Sequence, residues 1–260
     1  MSILLWEKGA PLAEGSNPAE GPSITPYLVD RGQPNSCIIV CPGGGYNHLA
    51  EPKEGETIAN WLNEIGLSAV VLHYRVAPYR HPCPFMDAQR TIRLLRARAE
   101  EWNLDPNRIG ILGFSAGGHL AATAGTRYDF GDPQAEDPIE RESSRPDLMV
   151  LCYAGISMIE FPHNKHLLGE DAAEGLRLEL SNEKHVTPET PPAFLWMTAN
   201  DEKVPVKHNL LFAAALDEQK VPFEMHLFES GKHGLGLAKE HPSIKPWTEL
   251  CEAWLKKRGF

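Results

Sequence analysis

The segment at residues 109–124 constrains the fold of this chain more than any other. Residues 109–114 form a short apolar run typical of a buried strand, and residues 120–124 are good helix formers. The residues at 113–117 are Gly-Phe-Ser-Ala-Gly, so a serine stands between small residues where the strand ends. Glycines at these places let a strand and a helix approach closely around a strained turn. The pattern predicts that Ser115 projects above a sheet edge at a helix N-terminus, which is the context of a nucleophilic serine.

Strand-like and helix-like segments alternate along most of the chain. Apolar runs predict strands at 3–6, 23–29, 36–41, 67–74, 109–114, 148–153, 193–199 and 223–228. Helical spacing predicts further helices at 54–65, 85–102, 206–218 and 246–257. This order predicts a mostly parallel sheet of about eight strands with helices on both faces. We expect a single domain over residues 1–260, with a small polar, lid-like insertion at about 154–192.

Charge and cysteine content narrow the possible partners and the compartment. The net charge of −10 disfavours nucleic acid and anionic membranes, because both attract basic surfaces. Five cysteines, an odd number, do not fit a disulfide framework. The first residues lack the basic region of a signal peptide, and no apolar stretch approaches the length of a membrane span. We therefore expect a cytoplasmic protein whose partner is a small molecule, and the sequence gives no indication of its oligomeric state.

The partners of Ser115 should follow other strands, because functional groups in parallel sheets gather at the carboxyl ends of the strands. A serine nucleophile needs a histidine base that a carboxylate orients. His233 lies in a glycine-bounded loop after the strand at 223–228, and Asp201 directly follows the strand at 193–199. Glu202 is an alternative acid that position alone disfavours. We predict a catalytic triad in the chain order serine, aspartate, histidine.

A glycine-rich loop at residues 43–45 follows the strand at 36–41. Such a loop provides backbone N–H groups for the negative oxygen that forms when a serine attacks an ester. We predict one donor from Ala116, the residue after the serine, and a second from Gly44 or Gly45. Phosphate binding is the alternative, but the loop lacks the lysine and the hydroxyl residue of a nucleotide-binding loop.

Other polar clusters give weaker signals. Two pairs have loosely metal-like spacing, His81 with Cys83 and His163 with His166, but each is isolated and neither completes a zinc site. We therefore predict no metal and no cofactor. The arginines of the helix at 85–102 are interpreted as a solvated basic face without a function; they are Arg90, Arg93, Arg96 and Arg98.

Taken together, these residues resemble an α/β-hydrolase esterase, and more narrowly the acetyl-xylan-esterase-like group of bacterial carbohydrate esterases. The resemblance runs from about residue 36 to the C-terminus. It rests on Cys41-Pro42-Gly43-Gly44-Gly45-Tyr46, His73-Tyr74-Arg75, residues 105–110, residues 113–119, Pro191-Pro192, Asp201 with Val204-Pro205, and residues 228–234. A cysteine and a proline precede the glycines where many lipases carry a histidine. The resemblance implies the α/β-hydrolase fold, a serine esterase working through an acyl-enzyme, and acetylated sugars or xylo-oligosaccharides as substrates.

The insertion at 154–192 bears on the size of the acyl group. Phe161 is its single aromatic residue, and most of its surface is charged. Its leucines are expected to form the inner faces of two short helices; they are Leu167, Leu168, Leu176, Leu178 and Leu180. A polar lid over Tyr46, Tyr74 and Trp196, which we predict to contact substrate, would suit a short acyl group, since a long chain needs apolar surface to bury against.

Three other functions are compatible with parts of the pattern. A general short-chain carboxylesterase would use the same triad on simpler alcohols. Prolyl-peptidase-like serine hydrolases share the triad order but usually carry a large N-terminal domain, and only about 35 residues precede the first core strand here. A non-enzymatic binding protein on a hydrolase scaffold would tend to lose a triad member, and all three are present.

Overall fold

The computed structural model of the protein describes residues 1–13, 21–51, 53–160 and 164–260. Within these ranges, eight strands form one sheet in the order β1-β2-β4-β3-β5-β6-β7-β8. The strands are β1 Ile3–Leu4, β2 Ser23–Tyr27, β3 Asn35–Cys41, β4 Ser68–His73, β5 Leu104–Phe114, β6 Leu148–Cys152, β7 Ala193–Thr198 and β8 Phe223–Phe228. The helices are α1 Glu56–Glu64, α2 Cys83–Ala97, α3 Ala116–Thr126, α4 Lys165–Leu168, α5 Glu174–Glu179, α6 Lys207–Glu218 and α7 Trp247–Lys257.

Strand direction places the functional loops on one edge of the sheet. β1 pairs antiparallel with β2, and β2 antiparallel with β4. All neighbours from β4 to β8 are parallel. The loops that follow β3, β5, β7 and β8 therefore leave the sheet at the same edge, which is where α/β folds collect their functional groups. The predicted fold class is confirmed.

Helices cover both faces of the sheet and create two apolar cores. Side chains of α2, α3 and α6 pack on one face, and those of α1 and α7 pack on the other. β3 shows why both cores form: Cys37 and Ile39 face the first core, whereas Ile38 and Val40 face the second. A strand buried on both faces needs a continuous apolar run, and this run was the signal in the sequence.

The arginines of α2 do not form the solvated face that the sequence analysis expected. Arg90 and Arg93 are buried, 5% and 9% exposed, because the polar segment at 129–147 packs over the helix. That segment supplies carboxylate partners for both side chains and for Arg96; the partners are Asp129, Asp137, Glu140 and Asp147. The expectation was wrong because nothing local in the helix sequence reports a distant acidic loop.

The insertion at 154–192 forms short helices, as its leucines indicated. Leu167, Leu168 and Leu180 are buried, and Leu176 packs against the first core. Leu178 is 48% exposed, contrary to expectation. Residues two apart on a helix point to different sides, so α5 cannot bury Leu176 and Leu178 together. Phe161 and His163 lie outside the described residues.

Three further features concern the described parts of the chain. No helix there is both long and apolar enough to cross a bilayer. No group of three or more His, Cys, Asp or Glu side chains in those parts could hold a metal ion. The cysteines are free and buried; they are Cys37, Cys41, Cys83, Cys152 and Cys251.

Candidate active site

Ser115 occupies the sharp turn between β5 and α3. Its backbone has φ 52° and ψ −114°, in the left-handed region that residues with a Cβ rarely adopt. A backbone hydrogen bond to the end of β6 supports the turn: the Ser115 N–H donates to the Cys152 carbonyl at 3.0 Å. A strained residue persists only when its surroundings impose the conformation, and such residues cluster at active sites.

Two glycines make this turn possible. A Cβ on Gly113 would lie 2.1 Å from the carbonyl oxygen of Gly117. A Cβ on Gly117 would lie 2.1 Å from the carbonyl oxygen of Cys41, on the neighbouring strand. Both positions therefore require glycine, for the steric reason that the sequence pattern indicated.

A chain of hydrogen bonds joins Ser115 to side chains from two other strand ends. His233 Nε2 lies 2.9 Å from Ser115 Oγ, and His233 Nδ1 lies 2.7 Å from Asp201 Oδ2. Because a carboxylate accepts at Nδ1, that nitrogen carries the proton and Nε2 is free to accept from the serine hydroxyl. The structure thus brings together the three residues that the sequence analysis grouped as a triad.

Asp201 is held in place by its own loop. It is 7% exposed, and its Oδ1 accepts the backbone N–H groups of Lys203 at 2.8 Å and Val204 at 2.9 Å. Burial raises the pKa of this carboxyl, but the hydrogen bonds from His233 and the two amides outweigh burial, so the pKa lies below its ordinary value. Glu202, the alternative acid, is exposed and borders the cavity.

The glycine loop has backbone amides without hydrogen-bond partners among the described residues, in residues that line the same cavity as Ser115. The Gly43 N–H donates to Glu54 Oε2 at 2.9 Å and is therefore occupied. The N–H groups of Gly44, Gly45 and Ala116 donate to no described residue, and all three residues line the same cavity as Ser115. Gly44 and Gly45 therefore both remain candidates for the second oxyanion donor, as predicted from the sequence.

The cavity above Ser115 has a volume of about 770 Å³. Its wall combines apolar residues, Met158, Val204 and Pro205, with polar ones, Lys53, Asn164, His166, Glu202 and Lys203. Its floor consists of Ser115, Ala116, His233 and the glycine loop. The volume is far larger than an acetyl group, so the cavity also has room for a leaving alcohol. A smaller cavity of about 310 Å³, near Arg31 and Arg108, contains none of these residues.

The three aromatic residues expected to contact substrate do not reach this cavity. Tyr46, Tyr74 and Trp196 are 1%, 2% and 0% exposed. The Tyr74 hydroxyl donates to the Pro42 carbonyl at 2.6 Å, and Trp196 stacks on Trp247 with ring centres 4.8 Å apart. The prediction was wrong because large rings near strand ends bury more apolar area by packing inward than by lining an open cavity.

Two buried histidines link the insertion at 154–192 to the body of the protein, His119 from α3 and His208 from α6. His119 accepts the Tyr46 hydroxyl at Nδ1 and donates from Nε2 to the Leu180 carbonyl, both at 2.8 Å. His208 Nδ1 accepts the backbone N–H groups of residues 156 and 157 at 2.9 and 3.1 Å. Burial lowers the pKa of each histidine to about 4, so both are neutral at pH 7.

Several residues around the site were not predicted from the sequence. Met158, Asn164 and His166 border the cavity; no motif marked the first two, and His166 was considered only as half of an isolated metal-like pair. Glu54 was assigned to the start of a helix; it instead precedes α1 and is 3% exposed beside the glycine loop. A carboxylate in helix-forming sequence gives no signal of burial, because most such residues are solvated.

The fold and the site together define a class. An eight-stranded, mostly parallel sheet, a strained serine turn and the order Ser115, Asp201, His233 are those of an α/β-hydrolase. The model of the BD-FAE family matches residues 27–216, and the chain belongs to this family.

Relatives of known name support the same placement. The crystal structure of an acetyl ester-xyloside bifunctional hydrolase from Caldicellulosiruptor lactoaceticus is 51% identical, covers 100% of this chain and 97% of that one, and superposes with a TM-score of 0.97. Endo-1,4-beta-xylanase B of Butyrivibrio fibrisolvens is 34% identical over 84% of this chain and 35% of its own length. The acetylxylan esterase of Xylanibacter ruminicola is 32% identical over 84% and 45%, respectively. The chain thus spans less than half of either curated relative, and the resemblance to acetyl-xylan-esterase-like proteins is confirmed.

Proposed function

We propose that the protein is a serine esterase that removes short acyl groups, above all acetyl, from acetylated sugars or xylo-oligosaccharides. The observation that carries this proposal is the hydrogen-bonded chain from Asp201 through His233 to Ser115, which ends beside unoccupied backbone amides. The names of two relatives, an acetylxylan esterase and an acetyl ester-xyloside hydrolase, support the choice of substrate.

The proposed cycle begins when Ser115 Oγ attacks the ester carbonyl carbon. His233 Nε2 takes the serine proton, and the Asp201 carboxylate stabilises the imidazolium that forms. The carbonyl oxygen becomes negative and accepts hydrogen bonds from Ala116 and from Gly44 or Gly45. His233 then gives its proton to the leaving alcohol, which departs and leaves an acyl group on the serine.

Water completes the cycle. His233 Nε2 removes a proton from a water molecule, whose oxygen attacks the acyl carbon of the acyl-enzyme. Collapse of the second tetrahedral intermediate expels Ser115 Oγ, which regains its proton from His233 as the free acid leaves. Every step uses groups of this chain and water, so the proposed mechanism includes no metal and no cofactor.

The cavity wall supports a hydroxylated leaving group. Asn164, His166 and Lys203 line the cavity and provide hydrogen-bonding groups, and a sugar offers several hydroxyls to such groups. Met158 and Val204 add apolar surface to the same wall, which favours a second candidate, a general short-chain carboxylesterase. The two candidates share the acyl chemistry and differ in the alcohol.

Enzyme assays on two substrate series test the proposal and separate the candidates. The first series is p-nitrophenyl acetate, butyrate, octanoate and palmitate; the second is a set of acetylated xylo-oligosaccharides, with acetate release as the readout. We expect kcat/KM to be highest for acetate or butyrate, together with rapid release of acetate from the sugars. Rapid turnover of aryl acetate without sugar deacetylation would identify the general carboxylesterase, and a maximum at octanoate or beyond would refute the short-acyl assignment.

The proposal also places the protein in the cytoplasm, with a small-molecule ester as its partner and neither nucleic acid nor membrane. Five free cysteines and a net charge of −10 support this placement, since reduced thiols persist in a reducing compartment and an acidic surface repels polyanions. Fractionation of the host cells, followed by immunoblotting, tests it; recovery in the culture medium would contradict it.

A further inference from the structure

A buried carboxylate lies between the two loops that the proposed mechanism uses. Glu54 is 3% exposed and accepts hydrogen bonds at both oxygens. Its Oε2 accepts the Gly43 N–H at 2.9 Å, and its Oε1 accepts the Tyr153 hydroxyl at 2.7 Å. Glu54 has no part in the chemistry of the triad, so its burial calls for another explanation, because a buried acid is expensive unless its hydrogen bonds serve a purpose.

Tyr153 links Glu54 to the loop that contains His233. Its hydroxyl accepts the Gly236 N–H at 2.9 Å and therefore uses its own proton toward Glu54. Burial, and then the neighbouring Glu54 carboxyl, raise the pKa of Tyr153 well above its ordinary value, so the hydroxyl remains a donor. The edge of its ring packs against the His233 imidazole, with ring centres 5.0 Å apart.

We propose that Glu54, acting through Tyr153, is a positioning residue that fixes the glycine loop and the His233 loop relative to Ser115. The inference rests on the proposed esterase function and deepens it. The path from the Gly43 amide through Glu54 and the Tyr153 hydroxyl to the Gly236 amide consists of three hydrogen bonds between 2.7 and 2.9 Å.

The packing around Gly43 shows how the carboxylate controls the oxyanion donors. A Cβ on Gly43 would lie 2.7 Å from Glu54 Oε2 and 3.2 Å from Ser115 Cβ. The side chains of Glu54 and Ser115 therefore both lie close to Gly43. With the Gly43 amide committed to Glu54, the next peptides turn through positive φ, 125° at Gly44 and 64° at Gly45, and their amides stay free. Loss of the acceptor would leave a buried N–H without a partner and allow this loop to reorient.

The test compares Glu54→Gln, Tyr153→Phe and the double variant with wild type. A glutamine side chain presents an NH2 donor where the carboxylate has one of its two acceptor oxygens, so it cannot accept from both the Gly43 N–H at Oε2 and the Tyr153 hydroxyl at Oε1. The matched control is Glu56→Gln, which removes the same charge at an exposed position two residues away. Active sites are counted by titration with diethyl p-nitrophenyl phosphate, so that kcat refers to folded enzyme only.

We expect kcat on p-nitrophenyl acetate to fall by about 10- to 100-fold in Glu54→Gln and by about 5- to 20-fold in Tyr153→Phe, with little change in KM, because a small misplacement of catalytic groups mainly slows the chemical step. The double variant should be no slower than the slower single variant by more than about twofold, since both act in one unit. The inhibition constant of phenylboronic acid, whose adduct occupies the oxyanion site, should rise in parallel. Glu56→Gln should match wild type.

A purely structural role gives a different result. The titrated variants would then keep wild-type kcat and wild-type inhibition by the boronic acid while their melting temperatures fall, and this outcome overturns the proposal. If Glu54→Gln does not fold, Tyr153→Phe decides, because it removes a single hydroxyl: unchanged kcat overturns the proposal and reduced kcat supports it. Failure of the esterase function itself is distinguishable, because wild type would then show neither turnover nor labelling.

Discussion

The floor and the wall of the cavity are built in different ways. The floor, formed by Ser115, His233 and the glycine loop, is set by backbone constraints: a strained φ at Ser115, glycines that admit no Cβ and a Gly43 amide that Glu54 holds. The wall is formed in part by Met158, Asn164 and His166 from the insertion, where no comparable backbone constraint is observed among the described residues. In the proposed mechanism, the floor carries out the chemistry and the wall selects which ester fits. Changes in the floor should therefore affect kcat, and changes in the wall should affect KM and selectivity.

The largest effect is expected at the floor itself. Ser115→Ala and His233→Ala should each lower kcat by about 10⁵- to 10⁶-fold, because nucleophile and base act as one unit. Circular dichroism and thermal melting should show a folded protein in both cases. Activity above about a hundredth of wild type in either variant would show that the triad is assigned to the wrong residues.

The second prediction concerns Asp201, which supports the floor through its hydrogen bond to His233. Asp201→Asn should lower kcat by about 10⁴-fold, because the amide no longer holds the Nδ1–H tautomer of His233. The matched change Glu202→Gln removes the neighbouring carboxylate from the cavity rim and should alter kcat by less than about threefold, since it touches no reacting group. Kinetics on p-nitrophenyl acetate compare them, and a reversed order would make Glu202 the acid.

The third prediction concerns His119, which links Tyr46, next to the glycine loop, to Leu180 of the insertion. His119 has a pKa of about 4 in the folded protein, below the value of about 6.5 for an unfolded histidine. The unfolded chain therefore takes up the proton first, and stability that is fully present above about pH 6.5 is lost as pH falls toward 4. The loss at His119 is on the order of 3 kcal/mol.

Thermal melting between pH 7 and 4.5 measures this loss. His119→Gln removes one titrating group and should flatten the slope of melting temperature against pH without abolishing it, since His208, with a pKa also of about 4, and His81, whose pKa burial lowers, continue to titrate. Equal slopes in wild type and variant would show that His119 is not buried in its neutral form.

The smallest effect is expected on the wall. His166→Ala should raise KM for acetylated xylo-oligosaccharides by about 3- to 10-fold, the equivalent of one hydrogen bond, and leave KM for p-nitrophenyl acetate unchanged. Lys165→Ala is the matched control, because Lys165 is adjacent and exposed but does not line the cavity. If both substrates respond equally, the sugar does not contact this part of the wall.

The contrast between floor and wall also explains how far the sequence could predict the site. The serine turn depends on glycines within four positions of each other, and the acid and base directly follow strands, so local patterns located them. The contact between Glu54 and Tyr153 joins residues 99 positions apart, and no local pattern encodes it. Tyr46 was misplaced for a related reason: a tyrosine at a strand end can pack inward or outward, and the choice depends on His119, 73 residues away.

The same limit applies to the rest of the fold. The strands were predictable because burial on both faces demands continuous apolar runs. The burial of Arg90 and Arg93 was not, because their partners lie in a polar loop that has no regular pattern. Long-range polar contacts are thus the part of this structure that sequence periodicity does not report.

Whether Ser115 is an activated nucleophile can be measured by covalent labelling. Wild-type protein is incubated with diethyl p-nitrophenyl phosphate, and intact mass and peptide mapping are compared with residual esterase activity. We expect one diethylphosphoryl group per chain, located on Ser115, with activity lost in proportion to labelling and with labelling abolished in His233→Ala. Full activity after Ser115 is modified, or labelling at another residue in parallel with the loss of activity, would contradict it.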